Sequence, residues 1–144
     1  MKSVILIAAA LGVGIIGYTL WPSKGSTPEE HSEVAPPGGA LVEIVLPDTL
    51  SSNAQIGKRG FEANCAACHG LNAVGQDGLA PPLVHRIYEP SHHGDESFQR
   101  AAAMGVRSHH WPFGNMPPID GLTRGDVKMI TAYIRELQQA NGIN

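Results

Sequence analysis

Cysteine is scarce in this sequence, with two residues in 144. A disulfide-stapled scaffold and a four-cysteine zinc site are therefore excluded. A basic excess is missing too, because ten Lys and Arg stand against thirteen Asp and Glu. From Ser51 to the C-terminus the two sets balance at eight each. This charge distribution argues against a nucleic-acid partner, and the roughly ninety residues of that region are enough for one small domain.

Both cysteines lie in one motif, Cys65-Ala66-Ala67-Cys68-His69. C-x-x-C-H is the attachment signature of c-type haem. Residues three apart on a helix share a face, so each thiol can form a thioether with one haem vinyl group. The residue after the second thiol then lies beneath the iron, where a neutral imidazole is a good ligand. A zinc site would need a fourth ligand from far away, and a thioredoxin-like pair belongs beside a βαβ pattern that the sequence lacks. One motif predicts one haem c.

Four segments together resemble the class I (mitochondrial cytochrome c-like) monohaem cytochromes c, over residues 52–143. They are Gly57-x-x-x-Phe61 leading into the C-x-x-C-H motif, Ala80-Pro81-Pro82-Leu83, Gly114-Asn115-Met116-Pro117, and a C-terminal amphipathic helix with Tyr133. The C-x-x-C-H motif alone occurs in many multihaem families, whereas these four segments in this order are specific. The resemblance implies an all-α, small cytochrome c-like domain whose N- and C-terminal helices cross around a covalent haem. It also implies one-electron transfer rather than enzymatic catalysis.

The resemblance assigns roles to individual residues. Cys65 and Cys68 are the positions that attach the haem, and His69 is the first axial ligand of the iron. Pro81 resembles the proline whose carbonyl accepts a hydrogen bond from that histidine. This bond would orient the imidazole and strengthen its donation to iron. The alternative for Pro81 is a stiff turn without a role at the haem. Met116 is the expected sixth ligand.

Met116 is favoured because the prolines after it restrict its loop and can present the thioether at a fixed place. Met104 and Met129 fall in predicted helices, where methionine is usually core filler. His109 and His110 are close enough in sequence to compete for the iron. Bis-histidine ligation would lower the reduction potential relative to His/Met ligation.

Arg107 and five histidines after the C-x-x-C-H motif each have two interpretations. Arg107 either meets a haem propionate as a charge-assisted pair or is solvated. Five histidines fall within twenty-six residues: His85, His92, His93, His109 and His110. They suit a second metal such as zinc or copper, but no i, i+4 pair or nearby cysteine supports it. The sequence therefore favours positions at the haem edge or in solvent for them.

The N-terminal region is predicted to lie outside the haem domain. Residues 4–21 form an uncharged apolar run, long for a signal peptide and near the minimum for a membrane span. We interpret residues 1–21 as an uncleaved transmembrane anchor, with a cleaved signal as the alternative. Residues 22–50 are rich in Pro, Gly, Ser and Glu and predict a flexible tether. Within it, residues 40–46 are apolar enough for one short strand or an extended segment docked on another surface.

The cytochrome c domain is assigned to residues 51–144. A first helix is predicted up to about Asn64, with Asp48, Ser51 and Ser52 as candidate caps. A short helix is predicted from an Asp95 cap to Gly105, and a last helix from a capping box at Thr123. Gly57 costs helix stability, so its presence in the first helix indicates a close approach to another backbone.

The leading functional hypothesis is a membrane-tethered, periplasm-facing electron carrier in a respiratory-type chain. By resemblance, its partners would be a quinol–cytochrome c oxidoreductase, a terminal oxidase or a periplasmic reductase. The alternative is an integral accessory haem subunit of a larger respiratory or reductase complex. A haem enzyme or gas sensor would need an open iron site, and no acid–base pair in the sequence argues for one.

Overall fold

The structure, a computed structural model, describes residues 38–144. Four α-helices carry the fold there: α1 (Ser52–Asn64), α2 (Ala66–His69), α3 (Asp95–Met104) and α4 (Arg124–Ala140). Two 3-10 turns, Leu71–Ala73 and Arg86–Tyr88, and long irregular loops connect them. Within these residues β-structure is limited to two isolated bridges. The predicted helical class is confirmed for this part of the chain.

The predicted anchor (residues 1–21) and the first part of the tether (22–37) lie outside the described residues. Between residues 38 and 144, no helix combines the length and the apolarity that a membrane span requires.

The helices α1 and α4 cross in close contact, as the resemblance implies. A Cβ added at Gly57 would stand 1.8 Å from the carbonyl oxygen of Met129, so only glycine fits at the crossing. One turn later Phe61 packs on Tyr133, with ring centroids 5.7 Å apart and both side chains buried. Ile130, Ile134 and Leu137 complete the buried face of α4. This crossing is the centre of the core.

The N-termini of α1 and α4 are capped as the sequence predicts, whereas that of α3 is not. The Ser51 hydroxyl accepts a hydrogen bond from the Ala54 amide and so caps α1. Thr123 and Asp126 form a reciprocal capping box at the start of α4. The predicted Asp95 cap of α3 is wrong: Gly94 is the N-cap, without a side-chain bond, and Asp95 is the first helical residue. A carboxylate there still interacts favourably with the positive end of the helix dipole.

Residues 40–46 form no β-strand. The backbone amide of Leu41 donates to the carbonyl of Val74 at 3.1 Å. The Asn141 side chain then holds both backbone groups of Val45, accepting from its N–H at 2.7 Å and donating to its C=O at 2.8 Å. An edge without a partner strand would leave such groups to solvent. Asn141 substitutes for that strand, so this segment lies extended along the domain instead of behaving as free tether.

A buried polar network fixes the loop before α3. The Arg135 side chain is only 11% exposed. It donates to the backbone carbonyls of Tyr88 and His93, each at 2.6 Å, and to the Gln138 side chain at 2.6 Å. The Gln138 amide in turn donates to the carbonyl of Leu83 at 2.8 Å. Irregular backbone needs such donors because it lacks a regular hydrogen-bond ladder. α4 therefore holds the 83–93 segment in place.

Replacing Tyr133 with phenylalanine should lower the free energy of unfolding by about 1 kcal/mol. The Tyr133 hydroxyl donates to Asn72 Oδ1 at 2.9 Å, and phenylalanine leaves that acceptor without its partner. Burial, and then the charge of Glu62, raise the pKa of Tyr133 from 10 to about 12. The buried phenol therefore stabilises the fold fully below pH 10, and this contribution is lost as pH rises towards 12. Denaturant titrations across that range should show a steeper alkaline decline in the parent than in Tyr133→Phe; parallel declines would contradict this account.

Candidate functional site

The main cavity of the described domain has a volume of about 640 Å³. This size falls within the range of sites that enclose a cofactor-sized molecule. α4 contributes Ile130 and Ile134 to its wall, and α3 contributes Phe98. The same cavity is lined by Cys65, Cys68 and His69 of the C-x-x-C-H motif. Met116, from the Gly114-Asn115-Met116-Pro117 segment, lines it too. The fold thus brings both halves of the predicted site to one cavity.

The C-x-x-C-H motif covers the break after α1 and the whole of α2. Cys65 is the break, and Ala66–His69 is α2. Cys65 ends α1, with its amide donating to the carbonyl of Phe61 at 2.8 Å, and α2 is the single turn that follows. The Gln76 side chain donates to the carbonyls of Ala66 and Ala67, at 3.2 and 2.9 Å, which satisfies the open end of that turn. Both thiols are thereby held on a short, supported helix beside the cavity.

The two thiols differ in environment. Cys65 is half-buried and Cys68 is exposed. Burial raises the pKa of the Cys65 thiol to about 11, with a smaller contribution from a negative charge on Cys68. The Cys65 thiol is therefore protonated at neutral pH and resists forming a thiolate.

His69 is buried and oriented by one hydrogen bond. Its Nδ1 lies 2.9 Å from the carbonyl oxygen of Pro81. A carbonyl accepts only, so Nδ1 carries the proton and Nε2 keeps its lone pair. Burial lowers the pKa of His69, and the Pro81 hydrogen bond opposes this to a smaller extent. The imidazole is thus kept neutral, which a metal ligand requires.

Met116 is held by its backbone. Its N–H donates to the carbonyl of Val106 at 3.0 Å, and the N–H of Val106 donates back to the carbonyl of Met116 at 2.9 Å. Gly105, which precedes Val106, lies so close to Met116 that a Cβ there would meet the Met116 carbonyl oxygen at 2.4 Å. These two hydrogen bonds fix the backbone position from which the half-buried Met116 side chain extends. Met104 also lines the cavity, but it is 67% exposed, so the expectation that it fills the core is wrong.

Within residues 38–144, two polar side chains at the cavity lack a partner that neutralises their charge or satisfies their hydrogen bonds. Arg107 lines the cavity, is exposed, and forms no salt bridge with a carboxylate of residues 38–144. The Trp111 indole N–H is buried and forms no hydrogen bond of standard geometry in the described part of the chain. Burial raises the pKa of Tyr88 to about 12, and a weaker interaction with the Trp111 side chain opposes this shift. A buried donor without an acceptor costs about 1–3 kcal/mol. Both side chains suit an anionic group within the cavity.

Of the remaining histidines, His93, His109 and His110 line the cavity, and His85 and His92 contact residues of its lining. His85 packs edge-on against Trp111, at 5.2 Å between ring centroids, and accepts from the Ile87 amide. His92, His93, His109 and His110 form a cluster of rings with centroids 4.2–6.0 Å apart. Partial desolvation by neighbouring groups, and then positive charge on those neighbours, lower the pKa of His110.

These residues fit a haem. The cavity offers two thiols one helical turn apart, a neutral buried imidazole, a thioether side chain, and an indole N–H and a guanidinium that suit propionates. The Trp111 donor and the Gln76 support could not be assigned from the sequence. Neither belongs to a spacing motif, and only the loops that fold over the cavity give them their positions.

Comparison with known proteins agrees with this chemistry. The family profile for cytochrome c matches residues 54–138. The chain is also similar to the cbb3-type cytochrome c oxidase subunit CcoP of Rubrivivax gelatinosus, with 32% identity over 148 residues. That alignment covers 96% of this chain but 46% of the relative, so the chain spans about half of the relative's length. No solved structure matches the chain.

Proposed function

Because the chain belongs to the cytochrome c family, and is thus an electron-transfer protein with covalent haem c, we propose that Cys65 and Cys68 attach the haem and that His69 and Met116 ligate its iron. The observation that carries this proposal is their convergence on one cavity of about 640 Å³. The bound haem supplies the one-electron chemistry. The protein holds it, orients the ligands and limits access of water.

The two thiols hold the cofactor covalently. Each S–H adds across one vinyl double bond, so the sulfur bonds to carbon, the hydrogen goes to the neighbouring carbon, and nothing leaves. The one-turn spacing places Cys65 and Cys68 on the same side of α2, and Gln76 keeps that turn in place. Because burial disfavours the thiolate at Cys65, we expect attachment to depend on assisted assembly rather than on spontaneous reactivity.

His69 and Pro81 act as a pair. The Pro81 carbonyl holds the Nδ1 proton, so Nε2 presents its lone pair to the metal in one tautomer and one orientation. Met116 would supply a second ligand to the iron from a backbone position that Val106 fixes. Ligands that are already in place move little when the iron changes oxidation state, which favours rapid electron transfer. Arg107 and Trp111 are proposed to bind the propionates.

Haem attachment is tested by intact mass measurement of the purified protein. The parent chain should carry the added mass of one haem, which remains after acid–acetone extraction because the bonds are thioethers. Cys68→Ser should retain at most one thioether, and Cys65→Ser with Cys68→Ser should release the haem completely on extraction. A double variant that still holds haem through extraction would refute attachment at these residues.

For cellular context, we propose that residues 1–21 anchor the protein in the cell membrane with the haem domain on the periplasmic side. The anchor would confine diffusion to the membrane plane and raise the effective concentration near membrane redox complexes. The similarity to a cbb3-type oxidase subunit supports a terminal oxidase as partner. A quinol–cytochrome c oxidoreductase or a periplasmic reductase are the other candidates from the resemblance.

One observation favours the alternative of an accessory haem subunit. The similarity to the oxidase subunit extends over 96% of this chain and so reaches well beyond residues 54–138. Gentle detergent extraction followed by size-exclusion chromatography separates the two cases. A free carrier should elute alone and restore oxygen consumption when added back to depleted membranes. A subunit should elute in a stoichiometric complex. If the oxidase assignment is wrong, the free carrier would not restore oxygen consumption, and the complex would show no oxidase activity.

A further inference from the structure

His92 and His93, which are adjacent in sequence, meet His110 from a later loop at the haem cavity, which His93 and His110 line. The ligand nitrogens of His92, His93 and His110 all lie within 4.8 Å of one another. His92 and His93 follow the 3-10 turn Arg86–Tyr88, whereas His110 lies in the loop between Val106 and Met116. We propose that these three imidazoles bind a borderline divalent transition metal, with Zn²⁺ as the reference ion, at a site separate from the haem iron.

The closest pair already has the spacing of metal ligands. His92 Nε2 and His110 Nε2 are 3.4 Å apart. In a tetrahedral zinc site with Zn–N bonds of about 2.05 Å, two ligand nitrogens stand ~3.3 Å apart. The measured separation is longer than most direct hydrogen bonds to nitrogen donors, which cluster at roughly 2.7–3.2 Å. One ion between these two nitrogens therefore fits their spacing with little movement.

His93 has one ring nitrogen available for the third bond. Its Nδ1 lies 2.5 Å from the carbonyl oxygen of Ile87, so Nδ1 donates and Nε2 keeps the lone pair. Arg135 donates to the His93 carbonyl at 2.6 Å and fixes the backbone of this residue. A backbone acceptor on the second ring nitrogen is the usual support of a metal-binding histidine. His93 is half-buried, so its geometry is constrained on both sides.

The ligand set defines the class of ion. Three imidazole nitrogens suit zinc, copper, nickel or iron, whereas calcium and magnesium prefer oxygen ligands. Three protein ligands around zinc leave a fourth position for water or another group. His92 and His110 are exposed, so the ion can reach the site from solvent.

A bound ion would connect two loops that are otherwise joined through side-chain packing. One loop is fixed to α4 through Arg135, and the other carries Met116. The ion would therefore restrain the Met116 loop. This consequence rests on the proposed ligand role of Met116, whereas the metal site itself does not.

The site is tested by isothermal titration of the full-length, haem-loaded protein with zinc chloride after removal of any affinity tag. We expect one ion per chain. His92→Ala and His110→Ala should each weaken binding at least tenfold, as should His93→Gln. His31→Ala is the matched control, because it removes a histidine far from the cluster in sequence, and it should leave the affinity within twofold.

The haem absorption spectrum of each variant checks that the fold and the iron site are intact. His92 and His110 are exposed, so their alanine variants should fold, and His92→Gln provides a second variant if one does not. The proposal is overturned if the parent binds zinc no better than the His92→Ala/His110→Ala double variant, or if His31→Ala loses as much affinity. Met116→Ala should still bind one zinc, so failure of the haem-ligand assignment would be distinguishable from failure of this site.

Discussion

Replacing Met116 with alanine is expected to lower the midpoint potential of the haem by roughly 0.2–0.3 V, a part of the ~0.8 V range that axial ligands set. The thioether of methionine favours reduced iron relative to histidine or water, so its loss stabilises the oxidised state. The weak sulfur-to-iron charge-transfer band of the oxidised protein should disappear in the same variant. A redox titration followed by absorption measures both effects on one sample.

Met104→Ala is the matched control for this experiment. Met104 also lines the cavity, but it lies at the end of α3 and is 67% exposed. Its removal should leave the sulfur band in place and move the potential little. The backbone hydrogen bonds between Met116 and Val106 do not depend on the methionine side chain, so the loop should persist in Met116→Ala.

Two results would contradict the assignment of Met116. If the parent protein lacks the sulfur band, a histidine or water holds the sixth position. His109→Ala and His110→Ala would then identify a histidine ligand. The midpoint potential should rise in the variant that lacks the ligating histidine, because Met116 or water takes its place at the iron. If the band persists in Met116→Ala but is lost in Met104→Ala, the other methionine is the ligand. An open sixth position would make the sensor or enzyme hypothesis the stronger one.

The sequence predicted the parts of the molecule that depend on local signals. The Thr123–Asp126 box carries its capping information within four residues and is confirmed, and Ser51 is the one of the three candidate caps that the structure uses. The close approach at Gly57 followed from the cost of a glycine within a helix. The C-x-x-C-H motif combines spacing and ligand chemistry in five consecutive residues. The caps and the haem motif involve residues within four positions of each other, and the Gly57 prediction needs only the residue type, although its partner Met129 lies on the other helix.

The parts that the sequence did not predict depend on contacts between distant irregular segments. Arg135 and Gln138 are polar residues of an amphipathic helix, which normally indicates solvent exposure. They are buried because the loop before α3 has unpaired backbone carbonyls that need donors. Asn141 likewise binds Val45 across 96 residues of sequence. The histidine cluster has the same origin: His92 and His110 meet through two loops, and no periodic pattern records that contact.

Replacing Gly57 with alanine is expected to lower the free energy of unfolding of the haem-loaded domain by about 3 kcal/mol. The added Cβ would stand 1.8 Å from the Met129 carbonyl oxygen and 2.4 Å from its carbon. Since the obstacle is backbone, α1 and α4 must separate, and we assign this a cost of about 4 kcal/mol, above the usual 1–3 for overpacking. About 1 kcal/mol is regained because alanine favours the helix. For a domain of this size the melting temperature should fall by roughly 10–20 °C.

Gly125→Ala is the control, because it changes the same residue type on the other helix of the crossing. Its Cβ would meet Thr123 Oγ1 at 3.5 Å, an ordinary contact, so this variant should be as stable as the parent or up to ~1 kcal/mol more stable. Denaturant titrations of both variants give the comparison. Equal stability of Gly57→Ala and the parent would mean that the helices do not approach as closely as the crossing requires.

The Gly57 and Met116 variants also separate packing from ligation. α4 supplies Ile130 and Ile134 to the cavity wall, so its displacement in Gly57→Ala should loosen the haem pocket without removing either axial ligand. We therefore expect Gly57→Ala to retain the sulfur band at low temperature while losing stability. Met116→Ala should lose the sulfur band and have a midpoint potential lower by roughly 0.2–0.3 V. Its free energy of unfolding should change less than that of Gly57→Ala. The opposite pattern would mean that the helix crossing, and not the loop that Val106 holds, positions the sixth ligand.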